Sequence, residues 1–152
     1  MSLPKTSQTP KVIELNLSDQ VFTFTDATDT QWHWNASKGY RLIELAPRPT
    51  MEFYPSDCGI NMADLRNRYP DLDEEYAQRV DLSRPILFIP FHDGTSVLAD
   101  GWHRLARAVM EGIPCLPCYQ LTLQEAEQVL VIKIPPRQKL APMDLQKGRR
   151  KP

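Results

Sequence analysis

The sequence has few cysteines, no long apolar run and almost no net charge, and each shortage excludes a class of protein. Three cysteines among 152 residues are too few, and odd in number, for a disulfide framework, so a reducing cytoplasm is the expected compartment. The longest aliphatic and aromatic run, residues 86–91, contains Pro90 and is far shorter than the ~20 residues of a membrane span. A formal net charge of −1 argues against a protein that coats nucleic acid by bulk charge.

Length and composition indicate one small globular domain. A chain of 152 residues with 41% hydrophobic and 24% charged residues is ordinary for a single soluble domain. Residues 1–10 are polar, contain two prolines and are expected to be a flexible lead-in without a secretory signal. Residues 11–134 are expected to form the domain. Residues 135–152 carry six lysines and arginines against one aspartate and are expected to be a disordered basic tail, with phosphate contact as the alternative.

Short elements of both kinds are predicted, which makes the fold class α+β. Apolar residues with a period of two, or an unbroken apolar run at residues 86–89, predict strands, and apolar residues three and four apart predict helices. The strands are predicted at residues 13–17, 22–25, 40–45, 86–89, 96–99, 113–121 and 129–134. The helices are predicted at residues 61–69, 73–80, 101–111 and 122–128. The expected architecture is a small mixed sheet with short helices in a single domain.

The helix predicted at residues 101–111 opens on the sequence Asp100-Gly101-Trp102-His103-Arg104, directly after a strand. The first N–H groups of a helix have no acceptor inside it and carry the positive end of its dipole. Gly101 has no side chain, so a ligand can approach the backbone there. His103 and Arg104 can donate hydrogen bonds to oxyanions. These features predict an anion site, with phosphate as the expected anion.

Two residues of this segment leave alternatives open. Asp100 either caps the helix by accepting the N–H of Trp102 or His103, or it bridges to magnesium or acts as a general base. His103 either contacts a phosphate or packs near the edge of the sheet. Trp102 is expected in the core, and Arg104 is expected outside the buried stripe of the helix.

Four segments follow one another around this helix start: PILF at residues 85–88, DG at 93–94, VLADGWHRLARA at 97–108 and GIP at 112–114. Their order resembles the ParB/sulfiredoxin-like superfamily over residues 62–134, most specifically over 85–121. The resemblance implies a stand-alone nucleotide-binding domain that takes ATP or CTP, with or without Mg²⁺. It assigns the phosphates to Gly101, Trp102, His103 and Arg104, and it implies that His103 and Asp100 assist hydrolysis or transfer of the terminal phosphate.

The chain departs from the family pattern in ways that narrow the function. Trp102 stands where sulfiredoxin has its reactive cysteine, and an indole is no nucleophile, so sulfiredoxin activity is disfavoured. His103 replaces a second arginine of ParB proteins, and the 31 residues after residue 121 leave no room for the ParB helix-turn-helix domain. Two alternatives stay open: a DNA-binding or nuclease-like accessory protein that uses the same site and the basic tail, and a non-catalytic protein-interaction member. No membrane partner is expected, and the oligomeric state is left open.

Two further patterns are interpreted as structural. Cys115 and Cys118 form a CxxC in an extended segment, but zinc needs about four ligands and no second pair is present, so no metal site is predicted. Residues 31–35 hold two tryptophans and are interpreted as a loop held against the core, with base stacking as the alternative.

Overall fold

The structure, a computed structural model, describes residues 18–136. The lead-in at residues 1–10, the strand predicted at 13–17 and residues 137–152 of the basic tail lie outside this range. The strands are β1 (Val21–Thr25), β2 (Gln31–Asn35), β3 (Met51–Phe53), β4 (Ile86–Pro90), β5 (Ser96–Asp100), β6 (Leu116–Gln120) and β7 (Leu130–Ile134). The α-helices are α1 (Ala36–Leu45), α2 (Met62–Arg68), α3 (Glu74–Ala77), α4 (Trp102–Glu111) and α5 (Leu123–Val129). Within the described range, none of these helices has the length and apolar character needed to cross a bilayer.

The strands form two small sheets, which confirms the α+β fold class. One sheet is antiparallel and has the order β1-β2-β7. The other has the order β3-β6-β4-β5, in which β4 and β6 are parallel and the remaining neighbours are antiparallel. The mixed sheet expected from the sequence corresponds to the sheet β3-β6-β4-β5. The separate sheet β1-β2-β7 was not expected.

The strand–hairpin–strand–helix–strand unit predicted at residues 85–121 is confirmed. Three side chains of β4 are fully buried: Ile86, Leu87 and Ile89. A turn with Gly94 at φ 91° joins β4 to its antiparallel neighbour β5. The helix α4 follows, and the chain then enters β6, parallel to β4. Gly112 ends α4 at φ 68°, in the left-handed conformation that glycine adopts most readily.

The strand β4 contributes to two hydrophobic clusters. Leu87 belongs to the cluster that contains Trp34 of β2 and Ile43 of α1. Ile86 belongs to the other cluster, which collects buried residues of α2, α3 and α4, Leu65 among them. A fully buried side chain of this size stabilises a fold by about 1.5–3 kcal/mol. The second cluster therefore holds three helices together around the start of α4.

The strand predicted at residues 40–45 is wrong, because these residues belong to α1. The Asn35 side chain accepts the N–H of Lys38 and caps this helix. Gly39 lets α1 lie close to β4, since a Cβ at this position would be 2.9 Å from Leu87 Cδ2. Packing against β4 therefore overrides the local strand preference of the segment.

The loop predicted at residues 31–35 is also wrong, because these residues form β2. The Asp26 carboxylate accepts the N–H groups of Thr28 and Thr30 and closes the turn between β1 and β2. Trp32 Nε1 donates to the same carboxylate at 3.0 Å, and Trp34 is 2% exposed. The tryptophans pack on the core, as interpreted, although from a strand.

Candidate functional site

The N-terminus of α4 is not capped by a side chain. Gly101 is the N-cap residue at φ 110°, and no side-chain hydrogen bond is made there. The predicted capping by Asp100 is therefore wrong. Because a helix provides no acceptor for its first N–H groups, those of α4 remain available to a ligand or to water.

The missing side chain of Gly101 is required by packing. A Cβ at this position would lie 2.4 Å from Ile86 Cγ2 and 3.2 Å from Ile86 Cα. A φ of 110° adds strain for any residue with a Cβ. The side of Gly101 that the sequence analysis left open to a ligand is thus filled by β4.

Arg104 is buried, and its guanidinium is already bound inside the protein. The residue is 7% exposed, so its predicted place outside the buried stripe is wrong. Arg104 Nη2 donates to Asp100 Oδ2 at 2.9 Å, and Nη1 donates to the carbonyl oxygens of Arg84 and Pro85 at 3.0 and 3.1 Å. Arg104 therefore fastens the start of α4 to the segment that enters β4, and Asp100 offsets its charge.

Tyr40 completes this buried network. Its hydroxyl oxygen lies 2.9 Å from both the Pro85 carbonyl oxygen and Asp100 Oδ2, so its single hydrogen is donated to one of them at a time. Burial, followed by the negative charge of Asp100, raises the pKa of Tyr40, which stays protonated near neutral pH. The catalytic role predicted for Asp100 stays a prediction, and it would have to operate from within this network.

His103 connects α4 to α3, which is shorter than the helix predicted at residues 73–80. The His103 Nε2 atom accepts the N–H of Asp73 at 3.0 Å, so the neutral ring carries its proton on Nδ1. The ring meets Tyr69 and Tyr76 at right angles, with centroids 5.7 and 4.9 Å apart. Burial lowers the pKa of His103, against the opposing charges of nearby carboxylates. The imidazole is therefore neutral near pH 7, and its Nε2 atom is occupied as an acceptor, so only Nδ1–H remains to donate to an oxyanion.

The lowered pKa of His103 makes a stability prediction. Above about pH 6.5 this group is neutral in the native and unfolded states; at lower pH the unfolded state binds a proton that the native state resists. The unfolding free energy is therefore expected to decrease as the pH falls below about 6.5. Urea unfolding of the wild type and of His103→Gln, which keeps an acceptor but does not titrate, measures this contribution. Parallel pH curves for the two proteins would contradict it.

An open cleft of about 940 Å³ lies beside these residues. Its walls include every site residue predicted from the sequence: Asp100, Gly101, Trp102, His103 and Arg104. Its volume is within the roughly 300–1,000 Å³ that small-molecule sites occupy. The structure therefore brings the predicted residues together at one opening.

Three further arginines line the cleft: Arg68, Arg79 and Arg84. Within residues 18–136, none of them is in an ion pair, and Arg79 Nη1 donates to the Glu75 carbonyl oxygen at 3.3 Å. Asp71 and Asp81 also line the cleft, so its cationic surplus is small. Arg68 and Arg84 are the cations that an anionic ligand can still pair with.

Trp102 lies in the core, as predicted. It is 8% exposed, and its indole N–H donates to the Leu98 carbonyl oxygen at 3.0 Å. Its ring stacks with Phe22 and Tyr69, at centroid distances of 6.0 and 5.4 Å. Trp102 can therefore serve an anion through its backbone N–H alone.

The three further arginines of the cleft were not predicted from the sequence, and neither was Tyr76, which also lines the cleft. They come from the end of α2, from α3 and the turn after it, and from the segment before β4, which no single motif joins. The one available signal was that Arg84 directly precedes the PILF segment. Arg84, just before the crossover unit, thus lines the same cleft as the charged residues at the start of α4.

Metal ligands are not grouped in the described part of the chain. Within residues 18–136, no three side chains of histidine, cysteine, aspartate or glutamate are arranged to hold a metal ion. Cys118 of the CxxC is buried in β6, and this burial raises the pKa of its thiol. The CxxC therefore adds a small buried side chain to the sheet.

Comparison with protein-family models, with curated proteins and with solved structures finds no match for this chain. The resemblance to the ParB/sulfiredoxin-like superfamily therefore stays a prediction from the sequence.

Proposed function

We propose that this protein binds a nucleoside triphosphate, ATP or CTP, in the cleft at the start of α4 and hydrolyses or transfers its terminal phosphate. The observation that carries this is an uncapped helix N-terminus that shares a cleft of about 940 Å³ with Arg68 and Arg84, neither ion-paired within residues 18–136. Helix N-terminal N–H groups and arginines are frequent partners of phosphate oxygens. The sequence resemblance to a nucleotide-binding superfamily points to the same ligand.

The phosphate-binding groups of the cleft then differ from those predicted from the sequence. The N–H groups of Trp102 and His103 bind a phosphate oxygen at the start of α4. Arg68 and Arg84 neutralise the charge on the terminal phosphates, in place of Arg104. Asp100 and Arg104 keep the backbone of the helix start in position through their buried ion pair.

Magnesium fits this cleft as a companion of the nucleotide. Asp71, Asp81 and Asp100 line the cleft, but within residues 18–136 no group of three ligands surrounds one point. In nucleotide sites Mg²⁺ is held by substrate phosphates and waters together with one or two carboxylates. We therefore expect Mg²⁺ to strengthen nucleotide binding rather than to bind alone.

The proposal places the protein in the cytoplasm, where ATP and CTP are available. Its three cysteines are free thiols, which suits a reducing compartment. The basic tail through which DNA could bind lies beyond residue 136, so no described contact favours DNA as the partner.

Removing one arginine of the cleft tests the site. Arg84→Ala and Arg68→Ala are each expected to weaken binding of ATP or CTP by roughly 10- to 150-fold, since a charge-assisted hydrogen bond contributes about 1.5–3 kcal/mol. Isothermal titration calorimetry with Mg²⁺ measures the affinities. The matched control is Arg66→Ala, because Arg66 pairs with Glu74 and is not part of the cleft wall.

Two results would count against the proposal. If both cleft variants bound nucleotide as tightly as the wild type, the cleft would not be the nucleotide site. If nucleotide bound but neither inorganic phosphate nor a phosphorylated acceptor formed, the binding site would stand and the proposed reaction would be wrong.

A further inference from the structure

Tyr76 presents the most open aromatic ring at the cleft. Trp102 is covered by its stacking with Phe22 and Tyr69, and Tyr69 is parallel to Trp102 within 2°. Tyr76 is 48% exposed, and within residues 18–136 its one ring contact is the perpendicular approach to His103, at an interplanar angle of 82°. A large aromatic surface is thus left to solvent in the wall of a cleft.

The position of this ring relative to the helix start is fixed by packing. Its centroid lies 4.9 Å from that of His103, the second residue of α4, so one side chain separates it from the N–H groups of the helix. The helix α3 that carries Tyr76 is tied to His103 through the N–H of Asp73, and Ala77 on the same helix is 0% exposed. The ring is therefore held next to the place where phosphates are proposed to bind.

We propose that Tyr76 is the platform on which the base of the bound nucleotide stacks, an inference that rests on the function proposed above. Every nucleobase has a π-face, so an aromatic platform binds all of them and discriminates little among them. Such a platform distinguishes a nucleoside triphosphate from an inorganic phosphate chain, which has no flat face to offer. The ligand class is therefore set by the base as well as by its phosphates.

Calorimetry of the full-length protein with ATP, CTP and inorganic tripolyphosphate tests this. Tyr76→Ala is expected to weaken ATP and CTP by about 5- to 150-fold and to change tripolyphosphate by less than about twofold. Tyr76→Phe, which keeps the ring, should bind all three like the wild type. Tyr54→Ala is the matched control, because Tyr54 is 39% exposed and lies outside the cleft wall.

The outcomes separate this inference from the function on which it rests. A wild-type protein that binds tripolyphosphate as tightly as ATP and CTP would overturn the platform and keep the anion site. An equal loss of all three ligands in Tyr76→Ala would also overturn the platform, since the tyrosine would then act on the fold of the site. A wild-type protein that binds none of the three would overturn the proposed function itself.

Discussion

Replacing Arg104 with alanine is expected to lower the free energy of unfolding by about 2–4 kcal/mol, somewhat less than the ~3–5 kcal/mol of a fully buried ion pair, because the Asp100 side chain is 23% exposed. The residue is 7% exposed, and its loss leaves Asp100 without its cation. It also leaves the Arg84 and Pro85 carbonyl oxygens without the N–H groups that now reach them at 3.0 and 3.1 Å. The Tyr40 hydroxyl stays within reach of Asp100 Oδ2 and of the Pro85 carbonyl oxygen, so the loss comes mainly from the unpaired charge of Asp100 and from the Arg84 carbonyl oxygen.

Chemical unfolding of Arg104→Ala beside Arg66→Ala measures the effect against a matched exposed pair. The Arg66–Glu74 ion pair has side chains 56% and 39% exposed, so its removal should change stability by less than about 1 kcal/mol. A similarly small loss in Arg104→Ala would show that water screens the inner pair. If the variant were stable but no longer bound nucleotide, Arg104 would be a phosphate ligand, as predicted from the sequence.

Replacing Gly101 with alanine is expected to destabilise the fold by about 2–5 kcal/mol. The positive φ of 110° contributes roughly 1–2 kcal/mol of strain in any residue with a Cβ. The new methyl group would lie 2.4 Å from Ile86 Cγ2, and overpacking of this kind typically costs about 1–3 kcal/mol. Both terms act on the junction between β5 and α4.

Gly112→Ala provides a comparison without the packing term in the same unfolding experiment. Gly112 has a φ of 68°, and nothing lies within 4 Å of its absent Cβ, so only the conformational term of about 1–2 kcal/mol applies to it. Equal losses in the two variants would mean that β4 yields to the added methyl group. A larger loss in Gly101→Ala is assigned to the contact with Ile86 together with the greater strain of a φ of 110°, which lies outside the left-handed region that contains Gly112.

The crossover unit could be predicted because its signals are local. An unbroken apolar run such as that of β4 is typical of a strand buried on both faces. A glycine at position 94 marks a hairpin turn, and Gly112 marks a helix end, because both need a positive φ. These residues act on their immediate neighbours, so the sequence alone was sufficient.

In the first part of the chain, the strand predicted at residues 22–25 is confirmed as β1, whereas the loop predicted at 31–35 and the strand predicted at 40–45 are wrong because the contacts that decide them are distant in sequence. Position 39 of α1 needs a glycine because a Cβ there would be too close to Leu87, which lies nearly fifty positions later in the chain. Trp34 is covered by residues of the same core cluster that include Val129. No window of sequence contains such pairs, so local strand and loop preferences were followed instead.

The five residues of the predicted site line one cleft, but the buried state of Arg104 was not predicted from the sequence. The spacing of Asp100 and Arg104 is visible as i and i+4 on the sequence, and such a pair is usually an exposed one. Here Arg104 is buried instead, and its burial depends on Tyr40 and on the segment before β4, both distant in sequence. Arg68 and Tyr76, on α2 and α3, reach the same cleft from elements whose mutual packing no periodicity reveals.

The pairing of β2 with β7 has a consequence for how the molecule is made. Gln31 is opposite Ile134 in that pair, so the ribosome must add about a hundred residues before the early hairpin can receive its third strand. A two-stranded hairpin is marginal alone, and contacts so far apart in the chain form slowly. During synthesis one edge of β2 therefore stays unpaired until β7 is made, and an unpaired strand edge favours aggregation of the nascent chain.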